Sequence, residues 1–128
     1  MSPATQPAGT KNDAGKVGLH LLPPGALFEI AQVLDFGVKK YAAWNWSKGM
    51  AASRLFAAAL GHLWAWWCGE ENDPETNLPH LAHLGCCVLF LLELRRTRPA
   101  GYVDDRPIGQ VTLVSRDPDR LTHLRGEQ

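Results

Sequence analysis

HLWAWWCGEENDPETNLPHLAHLGCCVLFLLE, residues 62–93, decides the reading of this chain. It divides into two strongly apolar segments of helical character with a short junction of different chemistry between them. The junction carries Glu70, Glu71, Asp73 and Glu75, and His80 and His83 follow. Carboxylates roughly 4 Å apart repel by about 1 kcal/mol in water and by about 4 kcal/mol at an effective dielectric near 20. An exposed loop tolerates that repulsion. Between the WAWWC segment and a Leu-rich helix, partial burial calls instead for a cation or for raised carboxylate pKa values. Glu70 and Asp73 are three apart, as are His80 and His83, so each pair shares one side of a helical turn. Two antiparallel helices joined here bring all four to one end of the pair. The expectation is a divalent-metal site on Glu70, Asp73, His80 and His83, with Glu71 beside them. The competing reading is a solvated acidic loop flanked by structural histidines.

Upstream, residues 50–68 are rich in Ala and Leu and read as a helix. Leu55, Ala58, His62 and Trp66 follow one face, while Leu63, Trp64 and Trp67 cover others. A helix apolar nearly all round is surrounded by protein, and in a chain with so few helices that surround includes a second subunit. Gly69 suits the end of this helix, and Pro74 prevents its continuation. Thr76 or Asn77 is expected to cap the next helix, residues 78–96, with Pro79 in its first turn. Arg95 and Arg96 complement the dipole at its far end.

Pro23–Pro24–Gly25 opens an earlier helix over residues 26–41, with Leu27, Ile30, Leu34, Val38 and Tyr41 forming its apolar stripe. YAAWNWSKG, residues 41–49, breaks the pattern. Trp44 and Trp46 either cover a core or, with Asn45, Lys39 and Lys40, hold a base and phosphates. Lys39, Lys40 and Arg54 are the candidate cations for phosphate oxygens. Lys11, Asp13 and Lys16 are either solvated charges or a group that folds over a ligand. Residues 1–12 read as a mobile segment, 13–98 as the helical domain and 99–128 as an irregular extension. Within that extension, residues 109–115 are a candidate strand or hairpin arm, and 117–128 a mobile tail.

The chain of 128 residues is one domain, with 13 basic and 13 acidic side chains in balance. That balance offers no field for a nucleic-acid polymer or an anionic membrane. The longest apolar run, residues 84–92, is about half of what a membrane-spanning helix needs. Cys68, Cys86 and Cys87 form no CxxC pair, so reduced, largely buried thiols in the cytoplasm are expected. Carboxylates suit Mg²⁺ and Mn²⁺, while imidazoles draw the preference toward Mn²⁺, Fe²⁺ or Zn²⁺.

Taken in order, Lys11-x-Asp13-x-x-Lys16, Leu22-Pro23, Phe36-Gly37-x-x-Lys40-Tyr41, Asn45-Trp46, Arg54, His62, Gly69-Glu70-x-x-Asp73-x-Glu75 and His80-x-x-His83 form a pattern. It resembles the phage and bacterial dATP/dGTP diphosphohydrolase family, distant kin of the MazG-type all-α NTP pyrophosphatases. The resemblance covers roughly residues 11–93. It implies an all-α fold, a small MazG-like helical bundle of three main helices completed by oligomerisation as a homodimer or homotetramer. The implied reaction is (d)NTP plus water giving (d)NMP and pyrophosphate, on Mg²⁺ or Mn²⁺, in the cytoplasm (the host's, for a phage protein). Carried over by residue, Glu70 and Asp73 are catalytic metal ligands, with His80 and His83 at or beside the metals. Lys40, Asn45, Trp46 and His62 fall on the substrate side, and Lys11, Asp13 and Lys16 close over the nucleotide. Gly61 stands where Arg is expected before His62, Ala42 where Gly is expected after Lys-Tyr, and Asn77 where Gly is expected before His80. A nucleotide- or metal-binding module without turnover, and a purely structural helical oligomer, are the alternatives.

Overall fold

The computed structural model describes residues 6–117 and 119. A 3₁₀ turn at Leu19–Leu21 leads into α1 (Pro24–Lys40). A second 3₁₀ turn, Asn45–Lys48, precedes α2 (Ala52–Trp67), and α3 (His80–Thr97) follows. The fold is all-α, with three main helices, as the resemblance implies. Among the described residues the only β pairings are two isolated bridges, Ala51 with Val103 and Asn72 with Pro79. The arm expected over residues 109–115 forms no strand; a lone strand is not stable by itself. Residues 1–5, 118 and 120–128 of the expected mobile ends lie outside the described residues. No described helix is long and apolar enough to cross a membrane.

Pro24 occupies the first turn of α1, where its missing N–H costs nothing, and Lys39 and Lys40 close the helix at its negative end. Val33 of α1 meets Ala82 and Cys86 of α3 in the core, with Ile30, Leu34, Leu78 and Phe90 packed around them. The rest of the expected stripe is less covered, with Leu27, Val38 and Tyr41 all exposed. Helices α2 and α3 run antiparallel: His62, late in α2, meets His80 at the start of α3, while Ala52 bonds to Val103 beyond the end of α3. Ala52, Leu55 and Ala59 are buried along α2, and Leu94 of α3 is completely enclosed. Elsewhere on α2, Phe56, Trp64 and Trp67 are exposed in the single chain.

Two local expectations need correction. Glu70 and Asp73 do not share a helical turn. Gly69 takes φ +100°, its N–H bonding to Trp66 O at 3.0 Å and that of Glu70 to Ala65 O at 2.9 Å. This left-handed closure ends α2 before either carboxylate and delivers both to a loop. Nor does Thr76 or Asn77 cap α3. Pro79 holds the N-cap position without a side-chain bond, Asn77 turns the chain at φ +57°, and the Thr76 hydroxyl is used inside the loop.

Candidate functional site

The acidic loop is fastened to the start of α3 by its own backbone. Asp73 N–H donates to Leu78 O at 2.8 Å, Asn77 N–H to Asp73 O at 2.7 Å and His80 N–H to Glu71 O at 3.0 Å. Asp73 Oδ1 accepts from the N–H groups of Glu75 and Thr76, at 2.8 and 3.2 Å. Its Oδ2 is left facing His62, 3.9 Å from Nδ1. His62 Nδ1 and His80 Nδ1 lie 2.8 Å apart. One ligand atom from each of His62, Asp73 and His80 therefore falls within 4.8 Å of the others.

These spacings fit a shared cation. Adjacent donors on a six-coordinate ion with bonds of about 2.1 Å stand about 3.0 Å apart, and opposite ones about 4.2 Å. His80 is buried, and its other nitrogen, Nε2, lies 2.6 Å from Glu70 Oε1. A carboxylate only accepts, so Nε2 carries the proton and Nδ1 presents its lone pair to the cluster. Glu70 thus stands behind His80, on the side away from Asp73. His83 stacks on His62, with centroids 4.6 Å apart, and its Nε2 is 2.7 Å from the Thr76 hydroxyl. That hydroxyl also accepts the Leu78 N–H.

The electrostatics favour lone pairs over protons. Burial lowers the His62 pKa, with repulsion from His83 and His80 adding to it and Asp73 opposing. Burial likewise lowers that of His83, helped by His80 and opposed by Asp73 and Glu75. For Asp73, burial works against ionisation, but the Glu75 and Thr76 N–H groups and the two histidines outweigh it, and its pKa is lowered. These shifts favour neutral His62 and His83 rings and an ionised Asp73, as divalent metal binding requires of its ligands.

The other expected site residues divide into near and far. Glu71 is exposed and gives the cluster region its backbone carbonyl. Lys40 reaches Glu75 at 3.1 Å and lies over the Tyr41 ring, whereas Lys39 is exposed and makes no ion pair among the described residues. From Tyr41 the chain walls a 470 Å³ pocket with Val38, Trp44, Asn45, Trp46, Cys86 and Phe90. Cys86, in the pocket's wall, is one turn beyond His83, about 4.5 Å along α3, and no histidine lines the pocket itself. Trp46 stacks on Phe90 at 5.2 Å and leans on Trp44 at 6.0 Å. Trp44 sits at φ +65°, a left-handed conformation that costs about 1–2 kcal/mol for a residue with a Cβ. Its carbonyl accepts from both the hydroxyl and the N–H of Ser47, at 2.6 and 2.9 Å.

Arg54 lies eight residues before His62 on α2, about 12 Å along the axis, and is exposed. Lys11, Asp13 and Lys16 are exposed around a turn in which Lys16 N–H meets Asp13 O, with no described contact to the cluster. Sequence reasoning set His62 on the substrate side and overlooked Thr76. The antiparallel register contained the signal for His62: a residue two turns before Gly69 must lie opposite the first turn of α3.

Residues 6–106 match the family described as dATP/dGTP diphosphohydrolase, N-terminal. Over 98 residues the chain is 37% identical to a dATP/dGTP diphosphohydrolase of Salmonella phage PMBT28. That alignment covers 77% of this chain and 33% of the phage protein, so the chain spans about a third of the length of that curated relative. No solved structure matches.

Proposed function

This chain belongs to the dATP/dGTP diphosphohydrolase family, and we propose that it hydrolyses a deoxynucleoside triphosphate, dATP or dGTP, to the monophosphate and pyrophosphate. The observation that carries this reading is the convergence of His62, Asp73 and His80 donor atoms within 4.8 Å of one another, next to an aromatic pocket. In the reaction a water oxygen attacks the α-phosphorus, the α–β bridging P–O bond breaks, and pyrophosphate leaves.

His62 Nδ1, His80 Nδ1 and Asp73 Oδ2 are the proposed ligands of a divalent ion, with Glu70 fixing the tautomer of His80. Two imidazoles and one carboxylate favour Mn²⁺ over Mg²⁺. The bound ion supplies charge neutralisation on phosphate oxygens and a lowered pKa for water. Asp73, on the cluster, and Glu70, behind His80, are the proposed catalytic carboxylates: Asp73 takes up the proton of the attacking water, and Glu70 accepts from the His80 Nε2–H. His83, held by Thr76, keeps the His62 ring in place by stacking. Lys40 exchanges Glu75 for a phosphate oxygen of the substrate, with Lys39 beside it. The base enters between Trp44, Asn45 and Trp46, in a cavity whose volume is in the range of ligand pockets, about 300–1,000 Å³. Lys11, Asp13 and Lys16 close over the nucleotide from the N-terminal segment, and Arg54 serves a copy other than its own. The exposed Phe56, Trp64 and Trp67 on α2 support assembly as a homodimer or homotetramer. Three free thiols, with that of Cys86 pushed up to about 12 by burial, suit the cytoplasm.

The test is incubation of the purified chain with each dNTP and Mg²⁺ or Mn²⁺. Nucleoside monophosphate and pyrophosphate in equal amounts are expected. A folded protein that releases neither overturns the reading.

A further inference from the structure

The far end of the α2–α3 pair carries a second set of contacts that the chemistry above does not use. The chain leaving α3 turns back at Arg98, at φ +46°, and lies against the start of α2. Ala52 N–H donates to Val103 O at 2.9 Å, and Val103 N–H to Met50 O at 3.4 Å. Helix α2 begins on Ala51, which has no side chain to cap it. Asp105, 52 residues away from Ser53, fills that role. Its Oδ1 accepts the Ser53 N–H at 2.8 Å and its Oδ2 the Ser53 hydroxyl. Just before, two backbones meet: a Cβ on Gly101 would collide with Lys48 O, and one on Gly49 with Tyr102 N.

Both contacts bear on the aromatic loop. Lys48, Gly49 and Met50 are its last residues, and Trp44, Asn45, Trp46 and Met50 wall the pocket. The loop holds itself by short-range bonds, from Ser47 to Trp44 O and from Gly49 N–H to Trp46 O. It is a four-residue 3₁₀ turn with a left-handed Trp at its entry, a left-handed Gly at its exit and no fully buried side chain. A segment that locks the exit, while capping the helix that follows, fixes how far the two indoles stand from α3.

We propose that residues 101–105 are a brace for the substrate-binding loop, with Gly101 and Asp105 as positioning residues for the base end of the nucleotide. This rests on the assignment of the aromatic pocket to the base. The brace acts on affinity for the base and leaves the metal cluster at the other end of the helices untouched.

Four chains are compared: wild type, Gly101→Ala, Asp105→Ala and, as the conservative control, Asp105→Asn, whose amide oxygen still accepts the Ser53 N–H. Binding of dATP and dGTP is followed by tryptophan quenching, hydrolysis by KM and kcat, and Mn²⁺ affinity by calorimetry. Gly101→Ala is expected to raise Kd and KM roughly tenfold or more. Asp105→Ala raises both several-fold, Asp105→Asn recovers most of that loss, and Mn²⁺ affinity stays within twofold in all (expected fold-changes of order unity for sites far apart). Should Gly101→Ala unfold, the Asp105 pair decides. Folded variants with wild-type nucleotide affinity, or ones that lose Mn²⁺ and nucleotide together, overturn the brace while the hydrolase reading stands. A wild-type chain that neither binds nor hydrolyses dNTPs overturns the hydrolase reading, and the brace with it.

Discussion

The two ends of the α2–α3 pair are closed in opposite ways. At one end His62, Asp73 and His80 turn polar side-chain atoms toward a common point, with Glu70, His83 and Thr76 holding the imidazoles. At the other, closure is achieved by backbone, through Ala52 with Val103 and Gly49 against Gly101, with the single carboxylate of Asp105 as a cap. Groups that titrate and can be shared with a cation make the first end responsive to ligand and pH. Main-chain bonds and steric contact dominate the second, where the carboxylates of Asp104 and Asp105 have lowered pKa values and respond only to stronger acid. Residues that govern chemistry and residues that govern stability should therefore separate along the helices.

The strongest way to break this contrast is at the cluster. Asp73→Ala is expected to lower turnover by roughly 10³-fold, about 4 kcal/mol of transition-state stabilisation. Helix content should stay, and the rise in Tm that Mn²⁺ gives the wild type should vanish. Circular dichroism and thermal melts with and without Mn²⁺ check this; a variant still stabilised by Mn²⁺ means the ligands lie elsewhere. Next in size is Leu94→Ala, near the opposite end, where the side chain is 0% exposed. It should cost about 3 kcal/mol of stability through the cavity it leaves, yet keep the Mn²⁺-induced rise in Tm. Loss of Mn²⁺ binding in a folded Leu94→Ala protein would show that the ends are coupled.

The smallest effect is the one that acid resolves. His62 and His83 have folded pKa values below the ordinary 6.5, so the unfolded chain takes up their protons first. Their contribution is full above that value and is lost as the pH falls through it toward the lower folded values. Asp104 is depressed to about 2 by the Arg106 guanidinium, against an ordinary 3.8. Its contribution is present above 3.8 and fades only as the pH drops toward 2. Metal-free protein melted from pH 8 to 2 should lose Tm first as the pH falls below about 6.5. His62→Ala should flatten that phase and Asp104→Asn only the more acid one. A single phase confined below pH 4 would contradict the assignment.

What could be read from the residues alone was whatever has a short period. The apolar spacing of α1, the Ala- and Leu-rich α2 and the Leu-rich α3 place three helices to within two residues of their ends. Composition of residues 70–83 marked the polar end of the pair. The finer placements depended on geometry that spacing does not carry. Gly69 ends α2 one step before Glu70, so an i, i+3 argument failed for two carboxylates that are not helical. Thr76 reads as a helix cap by type, but Pro79 has no N–H to donate to it, and the hydroxyl turns to His83 and Leu78 instead. The approach of Gly49 to Gly101 joins positions far apart in sequence, and neither glycine has a local partner to announce it.

The backbone bonds that tie Asp73 to Leu78 and Glu71 to His80 have a consequence for how this protein can diverge. Because they set the register between the carboxylate strand and the histidine helix, the number of residues from 74 to 77 matters more than which residues they are. Related chains should accept exchanges at Pro74 or Glu75 far more readily than a single insertion there, which would slide one set of ligands past the other while leaving every helix intact.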